Sequence, residues 1–181
     1  MRPVRMVKYL FLMAFTTLAV AVDGASSDPC SKLSKAGAFS LGYEVAAGTM
    51  ISENRAFAQI LRRSDRLSCF AKVIGMGTNE AQMYALVALR ELSPTQYAAA
   101  VNRVRARRPF TVTTIATKEQ GVLRREPSKT VIARIESGEY RSEVEFWLKH
   151  DVPPEGAWKE MAPKQLQRLK ARLRQASQRS R

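Results

Sequence analysis

The feature that most constrains the fold is the run EAQMYALVALREL, residues 80–92, which is rich in strong helix formers and apolar on nearly every side. A helix that is apolar all round must be covered on several sides by other elements. We therefore expect this helix at the centre of the fold, with Thr78 or Asn79 as its N-cap. The core residues that it would contribute are Tyr84, Leu86, Ala88 and Leu89.

Short helices are predicted on both sides of the central one, because capping residues precede runs with helical apolar spacing. Ser52, Asp65, Ser93 and Ser128 are the predicted N-caps, and Gly138 is the predicted C-cap of the last of these helices. The predicted helices cover about residues 53–63, 66–74, 94–108 and 129–137, with another short helix in SEVEFWLKH, residues 142–150. Their predicted inner faces include Tyr97, Val101, Val104, Val131, Ile132 and Ile135.

The spacing of apolar residues is no longer helical after Pro109, where the runs FTVTTIA and VLRR flank the turn-like TKEQG. This pattern predicts a small β-hairpin near residues 110–125. The fold class is therefore mainly α, a compact stack of short antiparallel helices with one small β-hairpin. We expect the polar lead-in GASSDP to be loosely ordered, and AFSLGYEVAAG to be extended or irregular.

The N-terminus has the pattern of a secretory signal peptide. Arg2, Arg5 and Lys8 precede an almost wholly apolar run over residues 9–20, and Ala19-Val20-Ala21 supplies small residues for cleavage after Ala21. The alternative, a membrane anchor, would require an apolar run of roughly 20 residues. We expect export to a periplasm or to the outside, with residues 1–21 as signal peptide, 22–158 as one helical domain and 159–181 as a basic amphipathic C-terminal tail.

Cys30 and Cys69 are the two cysteines of the chain, and export would place them in an oxidising compartment. We expect them to form a disulfide between the N-terminal segment and the helical core, with two buried thiols as the alternative. Redox catalysis would require a CxxC pair or an activated thiol, and the sequence shows neither pattern.

The positive charge is concentrated at the C-terminus. Residues 163–181 contain seven Lys and Arg residues and no acid, so half of the formal net charge of +14 lies in this segment. The cations are Lys164, Arg168, Lys170, Arg172, Arg174, Arg179 and Arg181. A helix over this segment would carry an apolar stripe formed by Leu166, Leu169, Leu173 and Ala176. Such a short helix is not stable alone in water, so we expect it to form on a surface.

A second basic cluster lies in NRVRARRP, within the predicted domain. Arg103, Arg105, Arg107 and Arg108 are explained by the C-terminal turn of a helix, where cations interact favourably with the helix dipole. The alternative is an anion- or partner-binding edge.

Four runs of the sequence resemble those of exported bacterial HEAT-like helical-repeat proteins of uncharacterised function. The runs are ISENRAFAQILRR, TNEAQMYALVALRELSPTQYAAAV, VTTIATKEQG and VIARIESGEY, and the resemblance covers roughly residues 42–140. It implies an all-α stack with one small hairpin and no known active site.

The sequence contains little that indicates catalysis. His150 is the one histidine, and a surface position explains it better than a pairing with Asp151 in a catalytic site. The usual zinc-ligand sets cannot be assembled, and no phosphate loop or nucleophile elbow is present. Glu143 and Glu145 would point to different sides of a helix. We therefore expect no enzymatic activity and no cofactor.

Two functional hypotheses remain. The first is an interaction protein, inhibitor- or immunity-like, that binds an envelope or secreted protein, preferably an acidic one, through its helical surface. The second is a binder of anionic lipid or polysaccharide through the basic tail. We do not expect nucleic acid to be the partner, because an exported protein is separated from it and the basic segments lack the interleaved aromatic residues that stack on bases.

Overall fold

The computed structural model describes residues 28–41, 51–106, 113–119, 122–152 and 171. It confirms a mainly helical chain with one small antiparallel hairpin. The elements are α1 (Pro29–Ser34), α2 (Ser52–Leu61), α3 (Arg66–Met76), α4 (Asn79–Leu92), α5 (Pro94–Ala106), β1 (Thr114–Glu119), β2 (Val122–Pro127), α6 (Ser128–Ser137) and α7 (Arg141–Lys149). The predicted domain end near Trp158 lies outside the described residues, as does the tail apart from Ala171.

Helix α4 is the centre of the fold, as its sequence predicts. Residues 81–89 are all buried, and α1, α3, α5, α6, α7 and β1 pack around the helix. The predicted cap is Thr78, whose hydroxyl accepts a hydrogen bond from the Ala81 N–H at 3.1 Å and donates one to the Ala36 carbonyl at 2.7 Å. The cap therefore also fixes the N-terminal segment against the start of α4.

Helix α1 corrects the expectation of a loosely ordered lead-in. Asp28 and Pro29, the described end of that stretch, begin a helix: the Asp28 carboxylate accepts a hydrogen bond from the Ser31 N–H at 3.3 Å, and Pro29 occupies the first turn. An acidic N-cap followed by proline is a helix start signal. With only six residues, α1 is too short to show apolar periodicity.

Cys30 on α1 and Cys69 on α3 are bonded to each other, with both residues buried. Arg63 connects the same two helices at the surface. Its guanidinium lies 2.6 Å from Asp28 Oδ1 and 2.7 Å from Asp65 Oδ1, and this contact holds the pKa of both carboxyl groups below its usual range. A disulfide and a pair of ion contacts thus join α1 to the start of α3.

Two predicted N-caps are wrong, and a third N-cap makes no side-chain hydrogen bond to its helix. Helix α2 begins at Ser52 itself, and the Ser52 hydroxyl donates to Glu53 Oε2 rather than capping. Asp65 is the N-cap residue of α3, as predicted, but its carboxylate pairs with Arg63 instead of a helix N–H. Helix α6 begins at Ser128, whose hydroxyl donates to the Thr113 carbonyl at 2.7 Å and so closes the base of the hairpin. In each case another partner takes the polar side chain.

The hairpin pairs β1 with β2 antiparallel, from Thr114 opposite Pro127 to Glu119 opposite Val122. Phe39 lies along the other side of β1 as a single parallel bridge to Thr117. This extended contact agrees with the expectation for the N-terminal segment up to Leu41, and residues 42–50 lie outside the described part of the chain. Ile115 and Phe39 bury the sheet against the helical core.

The remaining predicted core faces are confirmed. Val101 and Val104 of α5 are buried, Tyr97 is partly buried, and all three inner residues of α6 are buried. Gly138 ends α6 in the left-handed conformation with φ at +84°, which glycine adopts without strain. No helix in the described ranges is long and apolar enough to cross a membrane.

Candidate functional site: the groove between α3 and α5

Helices α3 and α5 flank α4 and leave an open groove of about 400 Å³ between them. Ile74, Leu89 and Ala100 are buried and contribute to its floor. The volume lies within the range of about 300–1,000 Å³ that is typical of ligand pockets. The groove is therefore large enough to receive side chains of a partner.

The walls of the groove are formed by side chains that share one face of each helix, several of them small. Ser68 and Ala71 lie three residues apart on α3, and Ala99 and Arg103 lie four apart on α5. Residues three or four apart share one helix face, and small side chains on facing surfaces leave space between the helices. Leu67 adds apolar surface to the α3 wall.

Arg103 supplies the charge of the groove. It is the one charged side chain among the described residues that line the groove, and none of these residues is acidic. Arg103 is exposed and has no ion pair within the described part of the chain. The groove therefore combines an apolar floor with a cation that is available to an anionic partner.

The predicted basic cluster divides in the structure. Arg103 lines the groove, whereas the Arg105 guanidinium lies 2.9 Å from Glu136 Oε1 and so connects α5 to α6. Arg107 and Arg108 lie outside the described residues, and so do all seven cations of the tail. Those nine positions stay predictions.

The predicted weak candidates for catalysis occupy structural positions. The His150 ring stacks on Phe146 at 4.2 Å between ring centres, and Asp151 pairs with Arg62 at 2.8 Å. Glu145 is exposed and Glu143 is buried, and burial raises the pKa of Glu143. No cluster of metal-ligating side chains occurs in the ranges that the structure describes.

Two tyrosines have roles that sequence reasoning missed. The Tyr84 hydroxyl accepts a hydrogen bond from the Ser40 N–H at 3.0 Å and donates one to Asn54 Oδ1 at 2.8 Å, deep in the core. The Tyr97 hydroxyl on α5 is buried without a hydrogen-bond partner among the described residues, and burial together with nearby Glu136 raises its pKa. The sequence signal for the role of Tyr84 is a tyrosine in an otherwise apolar helix, whose hydroxyl needs a hydrogen-bond partner in the core.

Comparison with known proteins gave no match. A scan against protein-family models, a search of curated proteins and a search of solved structures each found nothing similar to this chain.

Proposed function

We propose that this protein is an exported, non-enzymatic interaction protein that binds an acidic segment of an envelope or secreted protein, as inhibitors and immunity proteins do. The observation that carries the proposal is the α3/α5 groove, which offers an apolar floor and one available cation on an open helical surface. A buried disulfide between Cys30 and Cys69 supports an oxidising compartment, and the N-terminal signal pattern supports export.

The occupant that suits this groove is one face of an amphipathic helix. A groove between two helices receives apolar side chains at positions i, i+3 and i+4 of a third helix, as in known helix-in-groove complexes. Arg103 at the groove favours a carboxylate next to those apolar residues. The chain's own tail is less suitable, because its stripe is surrounded by cations that Arg103 would repel.

A matched pair of substitutions on α5 tests the groove. Ala99 lines it and the neighbouring Ala98 does not, although both are exposed. Ala99→Trp should fill the groove, whereas Ala98→Trp adds the same side chain on another face of the helix. Both variants should fold, since neither residue is buried.

The probe is a synthetic acidic amphipathic helix, with leucines on one face and glutamates on the others, measured by fluorescence anisotropy. We expect Ala99→Trp to weaken binding at least about tenfold, or roughly 1.4 kcal/mol, and Ala98→Trp to leave it unchanged. The same pair of variants is then applied to an envelope extract. Proteins retained by Ala98→Trp and lost by Ala99→Trp identify the partner, and equal capture by both would contradict the proposal.

The second candidate function rests on the seven cations of residues 163–181, which no acid offsets. Anionic lipid attracts each nearby Lys or Arg by about 1 kcal/mol, and the apolar stripe would enter the interface. Deletion of 163–181 should abolish binding to vesicles that contain anionic lipid. Undiminished binding by the shortened chain would exclude this function for the tail.

A further inference from the structure

The hairpin has two edges, and the outer edge of β1 is occupied. The Ala116 N–H donates to Glu80 Oε1 at 3.1 Å, and the Ala116 carbonyl accepts from the Phe39 N–H at 2.7 Å. The Lys118 N–H donates to the Phe39 carbonyl at 3.0 Å. Both backbone groups of Ala116 and the N–H of Lys118 are therefore paired within the protein.

The outer edge of β2 is different. The Ser128 N–H donates to the Thr113 carbonyl at 3.1 Å, which places this pair among the hydrogen-bonded pairs of the ladder. Because an antiparallel ladder alternates, Leu123 and Arg125 direct their N–H and C=O groups away from β1. These outward groups have no backbone partner among the described residues.

The side chains along this edge are also available. Val122 is 51 % exposed and Leu123 is 63 % exposed, the second being one of the most exposed large apolar residues that the structure describes. Arg124 and Arg125 are exposed, and neither has an ion pair within the described ranges. Glu126 differs, because Arg134 at 2.6 Å and Thr117 at 2.7 Å hold its carboxylate.

We propose that the β2 edge is a second binding site, which accepts an extended acidic segment of a partner protein as a third strand of the sheet. The outward N–H and C=O groups of Leu123 and Arg125 supply backbone hydrogen bonds to such a strand. Two adjacent acidic residues in the incoming segment would pair with Arg124 and Arg125, and apolar residues beside them would cover Val122 and Leu123. The site is separate from the α3/α5 groove and does not depend on it.

Charge also argues against a second copy of the chain at this edge. Antiparallel pairing of two β2 strands, with the outward groups of Leu123 meeting those of Arg125, would place Arg124 directly opposite Arg124 of the other copy. Like charges that face each other across strands are destabilising. The arginines therefore oppose this register of self-pairing and favour an acidic partner.

The first test uses the whole mature chain and a labelled, end-capped peptide with two adjacent glutamates flanked by valines and threonines. Fluorescence anisotropy should show saturable binding, and replacing the glutamates by lysines should abolish it. R124E together with R125E should weaken binding at least about tenfold. Lys35→Glu with Lys149→Glu, a matched reversal of two exposed lysines elsewhere, should leave binding unchanged.

The second test addresses the backbone. N-methylation of alternate peptide amides that face β2 should abolish binding, whereas methylation of the other amides should not, because only one set reaches the edge. Ala99→Trp should have no effect, which separates this site from the groove. No binding, equal binding of the lysine peptide, or loss of binding in Ala99→Trp would each overturn the proposal, and so would self-association through β2 in sedimentation.

Discussion

The two walls of the α3/α5 groove are held in place by different kinds of interaction. Helix α3 is covalently joined to α1 through Cys69, and Arg63 pairs with Asp65, the residue that precedes α3. Helix α5 is held by the packing of Val101 and Val104 and by the ion pair of Arg105 with Glu136 at the surface. The α3 wall therefore has a covalent bond to a neighbouring helix, whereas the α5 wall depends on packing and on one surface ion pair for its position.

The largest expected effect comes from removing the covalent anchor of the α3 wall. Cys30→Ala with Cys69→Ala should lower the free energy of unfolding by about 3–4 kcal/mol, since the disulfide closes a loop across a sequence separation of 39 residues. Urea denaturation of the double variant and of the oxidised protein measures the difference. A loss smaller than that of the α5 substitution described next would remove the contrast between the walls.

Removing buried side-chain atoms from α5 should destabilise the α5 wall. Val104 is 2 % exposed, and Val104→Ala should lower the free energy of unfolding by about 1–2 kcal/mol through lost burial and the cavity left behind. The exposed neighbour Arg103→Ala is the control, with an expected change within about 0.5 kcal/mol. Hydrogen exchange should show the loss of protection mainly in α5, and uniform loss over all helices would contradict a separately held wall.

Tyrosine-to-phenylalanine substitution should change the stability in opposite directions at Tyr97 and at Tyr84. Tyr97→Phe on the α5 wall removes a buried hydroxyl that lacks a partner among the described residues, so stability should rise by up to about 1 kcal/mol. Tyr84→Phe leaves the Ser40 N–H and Asn54 without their hydroxyl partner and should cost about 1–2 kcal/mol. Equal effects in thermal unfolding would show that Tyr97 is satisfied in solution.

The smallest expected effect is the pH dependence of the stability that the ion pairs of Arg63 with Asp28 and Asp65 contribute. Arg63 lowers the pKa of Asp28 and Asp65, so these carboxylates contribute stability above their usual pKa of about 3.8. That contribution is lost as the pH falls through the lowered values. Arg63→Gln should therefore be slightly less stable than the natural chain at neutral pH, and the difference should vanish in strong acid. A difference that persists in acid would assign the effect to packing of the Arg63 side chain.

The order of the helices could be predicted from the sequence because its signals are local. The buried run of α4, the start of α5 at Pro94 and the end of α6 at Gly138 all appear where caps and apolar spacing place them. Helix α1 could not be recognised by period, since it has less than two turns. Ser52 and Ser128 are not the N-caps that the sequence predicts, and the Asp65 carboxylate makes no capping hydrogen bond, because the partners of these side chains depend on neighbouring residues and on the fold.

The groove itself could not be predicted, because it depends on where α3 and α5 lie against α4. Ala71 and Ala99 are ordinary helix formers in the sequence and become wall residues only in the packed structure. The same is true of Arg103 and Arg105, two residues apart, of which one faces the groove and the other pairs with α6. Their spacing in the sequence places the two arginines on different sides of α5, but it does not show which element each side contacts.

The bridge at Phe39 limits how copies of this chain could pair through the small sheet. Phe39 and Glu80 pair with Ala116 and the Lys118 N–H on the outer edge of β1, so within the described part of the chain the open edge of the sheet is that of β2. Two copies of the chain that met through their β2 edges would form a closed pair, because each copy would have used the edge that it offers. Repeated pairing of copies through this sheet would require a second open edge on each copy, and the Phe39 contact covers part of the β1 edge.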